Sequence, residues 1–316
     1  MKPAILLIGN NGQVGRELNR MLPQLGELKS LGREHLDLSN PDEIRRAIRT
    51  FRPNLIVNAA AYTAVDKAES DEALARAVNA EAPGVMAQEA KAIGALLVHY
   101  STDYVFDGSK TSPYSEEDPT NPQNVYGRTK LEGEVAIQRS GASHLIFRTA
   151  WVYATEGRNF LLTILRLATQ REELKIVRDQ IGAPTTSREI AKATALVLSQ
   201  MRAKAGGASF PTADVSGIYH MTAAGETSWF DFAQAILEHA RTVDARTAWF
   251  AAATSNHPLI TRQIIAIPSS EYLTPARRPA YSVLSNERLD RTFSVRLPDW
   301  QSQLHSIFNG QSSPEI

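Results

Sequence analysis

The segment Gly9-Asn10-Asn11-Gly12-Gln13-Val14-Gly15 constrains this chain more than any other. It follows a short apolar run, Ala4–Ile8, and leads into Val14, Leu18, Met21 and Leu22, whose spacing is helical. An uninterrupted apolar run of this length reads as a strand buried on both faces, so the glycines stand where a parallel strand turns into a helix. There Gly9 makes the sharp turn and Gly12 lets backbone approach a pyrophosphate, whose charge is stabilised by free N–H groups at the helix N-terminus. Gly15 lets the helix pack closely on the sheet.

The same rhythm continues. Apolar runs at Leu55–Asn58, 96–101 and His144–Thr149 alternate with helical stretches over 42–52, 81–93 and 125–139. Strands alternating with helices predict an α/β fold of Rossmann type, a doubly wound parallel sheet, over residues 1–150. Beyond Trp151 the rhythm loosens. Amphipathic helices are expected over 160–170, 187–200 and 229–239, with a Gly/Ala-rich break over 203–217 and a proline-punctuated stretch over 258–279. The expected organisation is an NAD(P)-binding domain (1–150) onto which 183–215 packs back, with 151–182 and 216–316 forming a smaller, mixed C-terminal lobe.

Composition narrows the chemistry. Lys and Arg total 34 against 34 Asp and Glu, so the charge excess of a nucleic-acid binder is missing. The absence of cysteine excludes disulfides, Fe–S clusters, thiolate zinc sites and a Cys nucleophile, so any redox chemistry must come from a bound cofactor. The first apolar run is too short for a signal-peptide core, and no run approaches the roughly 18 residues of a membrane span. The expectation is a cytoplasmic protein with neither membrane nor nucleic-acid partners.

Three polar constellations stand at predicted strand ends, where open parallel sheets bind ligands, and a fourth on a predicted helix. The second strand, Glu27–Leu31, runs into Gly32-Arg33 without the usual acid at that point, so Arg33 is a candidate for the 2′-phosphate of NADP, with Asp37 near the adenine. Asn58-Ala59-Ala60-Ala61-Tyr62-Thr63 ends the third strand in small residues, as backbone beside a flat cofactor requires. Thr102, in His99-Tyr100-Ser101-Thr102-Asp103, is placed to hydrogen-bond a reacting oxygen. Tyr126 and Lys130 are four apart on a predicted helix, a spacing that brings an ammonium near a phenol.

These motifs, with Val57–Glu69 in full, Asn124–Lys130, Phe147–Tyr153, Asp179–Thr185 and Pro275-Ala276-Arg277-Arg278-Pro279, resemble the dTDP-4-dehydrorhamnose reductases among the extended short-chain dehydrogenase/reductases. The resemblance spans nearly the whole chain. It implies reduction of the 4-keto group of dTDP-4-dehydro-L-rhamnose to dTDP-L-rhamnose with NADPH or NADH. It further implies a catalytic triad of Thr102, Tyr126 and Lys130, with Asp103 and Trp151 on the substrate side. Cofactor contacts would come from Gly9, Gly12, Gln13, Val14, Arg33, Asp37, Leu38, Ala61, Tyr62, Thr63, Tyr100 and Lys130. Some members are dimers bridged by a divalent cation on glutamates, which would here be Glu17, Glu189 and Glu287 holding Mg2+ in a homodimer. Two rival readings share the motifs: another extended nucleotide-sugar reductase or epimerase, and a non-catalytic NADP-binding regulatory subunit.

Overall fold

The computed structural model describes residues 2–204, 206, 210, 215–244 and 246–309. Its first element, β1 (Ala4–Ile8), turns through Gly9 into α1 (Gln13–Met21). Next come β2 (Glu27–Leu31), α2 (Pro41–Phe51), β3 (Leu55–Asn58), the short helices α3 (Val65–Ala68) and α4 (Glu72–Arg76), and α5 (Ala82–Ile93). The sheet continues with β4 (Leu96–Thr102), α6 (Val125–Ser140) and β5 (His144–Thr149).

Side chains from alternate positions of these strands enter different cores, which is why their apolar runs are uninterrupted. Ile5, Leu7, Val57, Val98 and Phe147 pack on α1, while Leu6, Ile8, Ile56, Leu97 and Ile146 pack against Ile44, Ile48, Met86 and Ile137 of α2, α5 and α6. Asn40 caps α2 by accepting from the N–H groups of Asp42 and Glu43, and Asn124 caps α6 by accepting from Gly127. In contrast, α1 begins at Gly12 with no side-chain cap.

The remaining elements are β6 (Val152–Tyr153), α7 (Phe160–Ala168), β7 (Glu173–Val177), β8 (Ile181–Gly182), β9 (Thr185–Thr186) and α8 (Ser187–Lys204). They are followed by β10 (Gly217–His220), β11 (Thr227–Ser228), α9 (Trp229–Ala240), α10 (Ala248–Thr254), β12 (Gln263–Ile267), α11 (Glu287–Phe293) and α12 (Trp300–Phe308). Helix α8 lies on α1, through Ile190, Val197 and Leu198 in the core with Leu18 and Leu22. A third core joins Leu161 and Leu165 of α7 to Phe232 and Ile236 of α9 and Trp300 and Leu304 of α12. The Gly/Ala-rich break expected over 203–217 falls in large part outside the described residues.

The main sheet has six strands in the order β10-β5-β4-β3-β1-β2, and every neighbouring pair is parallel. The strand order reverses between β1 and β3, the crevice where such sheets take a ligand. Although it lies beyond residue 216, β10 completes the sheet: Gly217 to His220 pair with Leu145 to Arg148. Three two-stranded sheets, β6-β9, β12-β7 and β11-β8, form the smaller part. Among the described residues no helix is long and apolar enough to cross a membrane.

Candidate active site

The reversal point is built for an anion. Gly9 has φ +88°, and a Cβ there would overlap Ala60 at the end of β3. Gly15 is pressed so closely on the Gly9 carbonyl that no side chain fits between them. Around Gly12, the nearest atom a Cβ would meet is the Gly9 carbonyl oxygen at 3.4 Å, so the first turn of α1 is open where β1 ends. With no capping side chain, the N–H groups of Gln13 and Val14 remain available to a phosphate, and these residues fit a dinucleotide. The side chain of Gln13 is occupied, accepting from Asn159 at 2.8 Å.

At the end of β2, Arg33 is exposed, and Asp37 accepts from the backbone and hydroxyl of Ser39 at 2.9 and 2.8 Å, contacts that hold its carboxyl below the usual range. Leu38 is buried in the core with Ile44 and Ile48. The acid that the sequence reading places as missing is present one residue on. Glu34 folds back over Gly32, where its carboxylate would meet a Cβ, and accepts from Asn11 of the glycine turn at 3.0 Å. The signal was in the sequence, but only the turn after β2 reveals which way the side chain goes.

Beyond β3, Ala61, Tyr62 and Thr63 form an exposed to half-buried edge. The Tyr62 N–H donates to Asn79 at 2.8 Å, and its hydroxyl donates to Asp71 at 3.1 Å. Tyr100 reaches the site through its carbonyl; its ring is buried and its hydroxyl is bonded to Thr194 of α8 at 2.7 Å.

The end of β4 and the start of α6 bring the three triad candidates into one buried region. Thr102 Oγ1 donates to Asp103 at 2.9 Å and accepts from the Tyr104 N–H at 3.2 Å. The Tyr126 hydroxyl lies beside Thr102, and burial pushes its pKa up to about 12. Burial also raises Asp103 to about 6 against the hydrogen bond from Thr102, and its second oxygen has no partner among the described residues. The rings of Tyr104 and Tyr126 meet edge to face, 5.6 Å between centroids. Lys130, 1 % exposed, is lowered to about 8 by burial. Its Nζ donates to the Tyr100 carbonyl at 2.6 Å and lies 3.1 Å from His99 Nε2, so it is directed at β4.

The second lobe closes over this region through the 275–279 segment. Asn124 donates to the Arg277 carbonyl at 2.7 Å, and Arg278 pairs with Asp66 at 2.8 Å. Trp151, next after β5 and its flanking Ala150, adopts φ +47° and is wedged between Gly182 and Trp229.

Glu17, Glu189 and Glu287 are not gathered. No group of three or more His, Cys, Asp or Glu able to hold a metal occurs among the described residues. Glu17 pairs with Arg20 at 2.7 Å and Glu189 with Lys192 at 3.1 Å, so two of the three carboxylates already have a cation.

The family model described as "RmlD substrate binding domain" matches residues 1–312. A dTDP-4-dehydrorhamnose reductase from Burkholderia thailandensis is 53% identical over 298 residues, covering 94% of this chain and 95% of the relative. One from Escherichia coli is 44% identical, covering 96% and 97%. Among solved structures, a dTDP-4-dehydrorhamnose reductase from Bacillus anthracis in complex with NADP superposes with a TM-score of 0.84 at 29% identity, covering 98% of this chain and 100% of that one.

Proposed function

The chain belongs to the family of the dTDP-4-dehydrorhamnose reductases, and on that premise we propose how its residues carry out the reaction: reduction of the 4-keto group of dTDP-4-dehydro-L-rhamnose to dTDP-L-rhamnose with NAD(P)H. The observation that carries this reading is the gathering of Thr102, Asp103 and the half-buried Tyr126 at the end of β4 and the start of α6, beside the open turn of α1.

Held against the glycine turn and the edge 61–63, a reduced nicotinamide dinucleotide supplies the hydride. Tyr126 is the acid: burial keeps its phenol protonated at neutral pH, and the proton passes from its Oη to the oxygen of the former carbonyl. Thr102, fixed by Asp103 and the Tyr104 N–H, orients that oxygen. Lys130 anchors the face of α6 that carries Tyr126. Asp103 and Trp151 line the sugar side, and Arg33 and Glu34 meet the adenosine ribose.

We propose the division into a dinucleotide-binding part over 1–150 with 183–215, and a substrate lobe over 151–182 and 216–316 from which β10 returns to the sheet. The protein works in the cytoplasm, where nucleotide sugars and reduced nicotinamide are available. The deciding assay is stoichiometric loss of reduced-nicotinamide absorbance on addition of the dTDP-4-keto sugar. An epimerase would convert a sugar with no net loss, and a regulatory subunit would turn over none.

A further inference from the structure

The 274–278 segment of the second lobe is folded around a carboxylate that belongs to the first. Asp66, on the short helix α3, accepts from the Ala276 N–H at 3.3 Å with Oδ1 and from Arg278 Nη2 at 2.8 Å with Oδ2. Through Nη1 the same guanidinium donates to the Thr274 hydroxyl oxygen and to the Ala276 carbonyl, the latter at 3.2 Å. Arg278 thus closes the turn on itself and ties it to Asp66, a use that needs the fixed fork of an arginine.

Polar contacts hold this segment because apolar burial does not. Tyr272 and Leu273 are 58% and 91% exposed, and Ala276 is the buried side chain between 271 and 278. The flanks are pinned. At one end the N–H and hydroxyl of Ser269 donate to Asp179, and at the other Pro279 lies so close to Gly108 that a Cβ there would overlap it. A stretch between such anchors with little apolar area of its own opens locally unless its polar contacts persist.

Asp66 itself stands on a packed base. Ala68 of α3 is fully buried in a cluster with Val125 of α6, and the rings of Tyr62 and Tyr126 pack against that cluster. Glu69, directly after α3, accepts from the Val125 N–H at 2.8 Å. Asn124, which caps α6, donates to the Arg277 carbonyl, so the segment is placed relative to the helix that carries Tyr126.

From this geometry we infer that Asp66 is a positioning residue for the sugar nucleotide: it holds the 274–278 segment in place before the substrate arrives, so that binding does not have to order it. The hold on the segment stands on the contacts alone; its part in substrate binding rests on the reductase reading. A segment ordered in advance spares the ligand the entropy of fixing it, and the saving appears as affinity. The dinucleotide edge at 61–63 precedes α3, and the Tyr62 contacts run to Asn79 and Asp71 instead, so cofactor affinity does not depend on the hold.

The test uses the full chain. Hydrogen exchange without ligands reads the hold directly: amides of 272–278 should exchange about tenfold faster or more in Asp66→Ala, with those of β4 and α6 unchanged. Equal exchange of the segment in both proteins, or loosening that spreads through α6, overturns the inference. Calorimetric titration then reads the consequence. In Asp66→Ala the Kd for dTDP-L-rhamnose should rise about tenfold while that for NADPH stays within about twofold. Asp66→Asn keeps an acceptor for the Ala276 N–H without the charge and should recover part of the loss. Because Asp66 acts through Arg278, Asp66→Ala should weaken binding by less than about threefold in an Arg278→Ala background. Losses that add in full, tighter binding by Asp66→Ala, or a lower melting temperature with an unmoved Kd each overturn the inference. A wild-type protein that neither binds dTDP-L-rhamnose nor reduces the keto sugar fails the reductase reading, and the exchange rates, which need no ligand, then judge the hold on the segment by themselves.

Discussion

The indole of Trp151 lies flat on that of Trp229, with centroids 3.4 Å apart and planes within 4°. Trp151 joins β5 to the second lobe in a left-handed backbone conformation that a bulky residue rarely takes, and strain of this kind persists only where the surroundings over-determine it. Gly182 is part of those surroundings, since a Cβ there would overlap the indole.

Gly182→Ala should therefore displace Trp151 without touching the glycine turn. KM for the sugar nucleotide should rise about tenfold or more, while the Kd for NADPH stays within about twofold, as expected when only one ligand's contacts are lost. Trp229→Ala should act in the same sense by removing one side of the stack. Equal losses for both ligands would assign Trp151 to the core alone.

Tyr126→Phe removes the acid and keeps the ring that meets Tyr104, so kcat should fall by roughly 10²–10⁴ with little change in NADPH affinity. Thr102→Val should lower kcat by about 10–100-fold, because it leaves the proton donor in place and removes only the orienting hydroxyl. Steady-state kinetics with a near-native phenylalanine variant would remove Tyr126 from its role.

Arg33 and Glu34 pull cofactor choice in opposite directions. Arg33→Ala should weaken NADPH about three- to tenfold and reduce its salt dependence, a modest effect because an exposed guanidinium is screened. Glu34→Gln should shift preference toward NADPH by about fivefold, since a carboxylate accepts from a ribose hydroxyl and repels a phosphate. Titrations of both cofactors at two ionic strengths check this; parallel shifts for NADH and NADPH would place recognition elsewhere.

Stability should fall on acidification before the surface carboxylates titrate. His99 and His220 are buried with lowered pKa values, His220 at about 3, so on unfolding each takes up a proton once the pH is below 6.5. The unfolded chain then binds more protons, and the stability present above pH 6.5 is lost as pH falls. Asp103, raised to about 6, acts oppositely, because the folded protein binds its proton first. Two protons against one leave a net loss of stability as the pH falls below about 6. Urea midpoints at successive pH values measure the slope, and a flat profile would mean that these groups are solvated.

The sequence by itself determined the parallel sheet, because strands buried on both faces need uninterrupted apolar runs and Gly9 stands at a turn no side chain could occupy. It also placed Thr102, Tyr126 and Lys130, since each sits at the end of a strand or on one face of a helix whose period is local. Only the tertiary structure decided what meets what between distant segments. Helical spacing put Lys130 on the face of Tyr126, but packing of α6 on the sheet aimed its amine at His99 and the Tyr100 carbonyl. Glu34 reaches Asn11 only because the turn after β2 carries it there. The edge strand Gly217–His220 gave no strong signal, because a four-residue strand half covered on one side lacks the long apolar run that marks a central one. Trp151 and Trp229, 78 positions apart in the sequence, meet because β5 and α9 belong to parts of the fold whose contact no local pattern encodes. Local periodicity reports how each element buries its own faces; partners across the fold are set by how those elements pack.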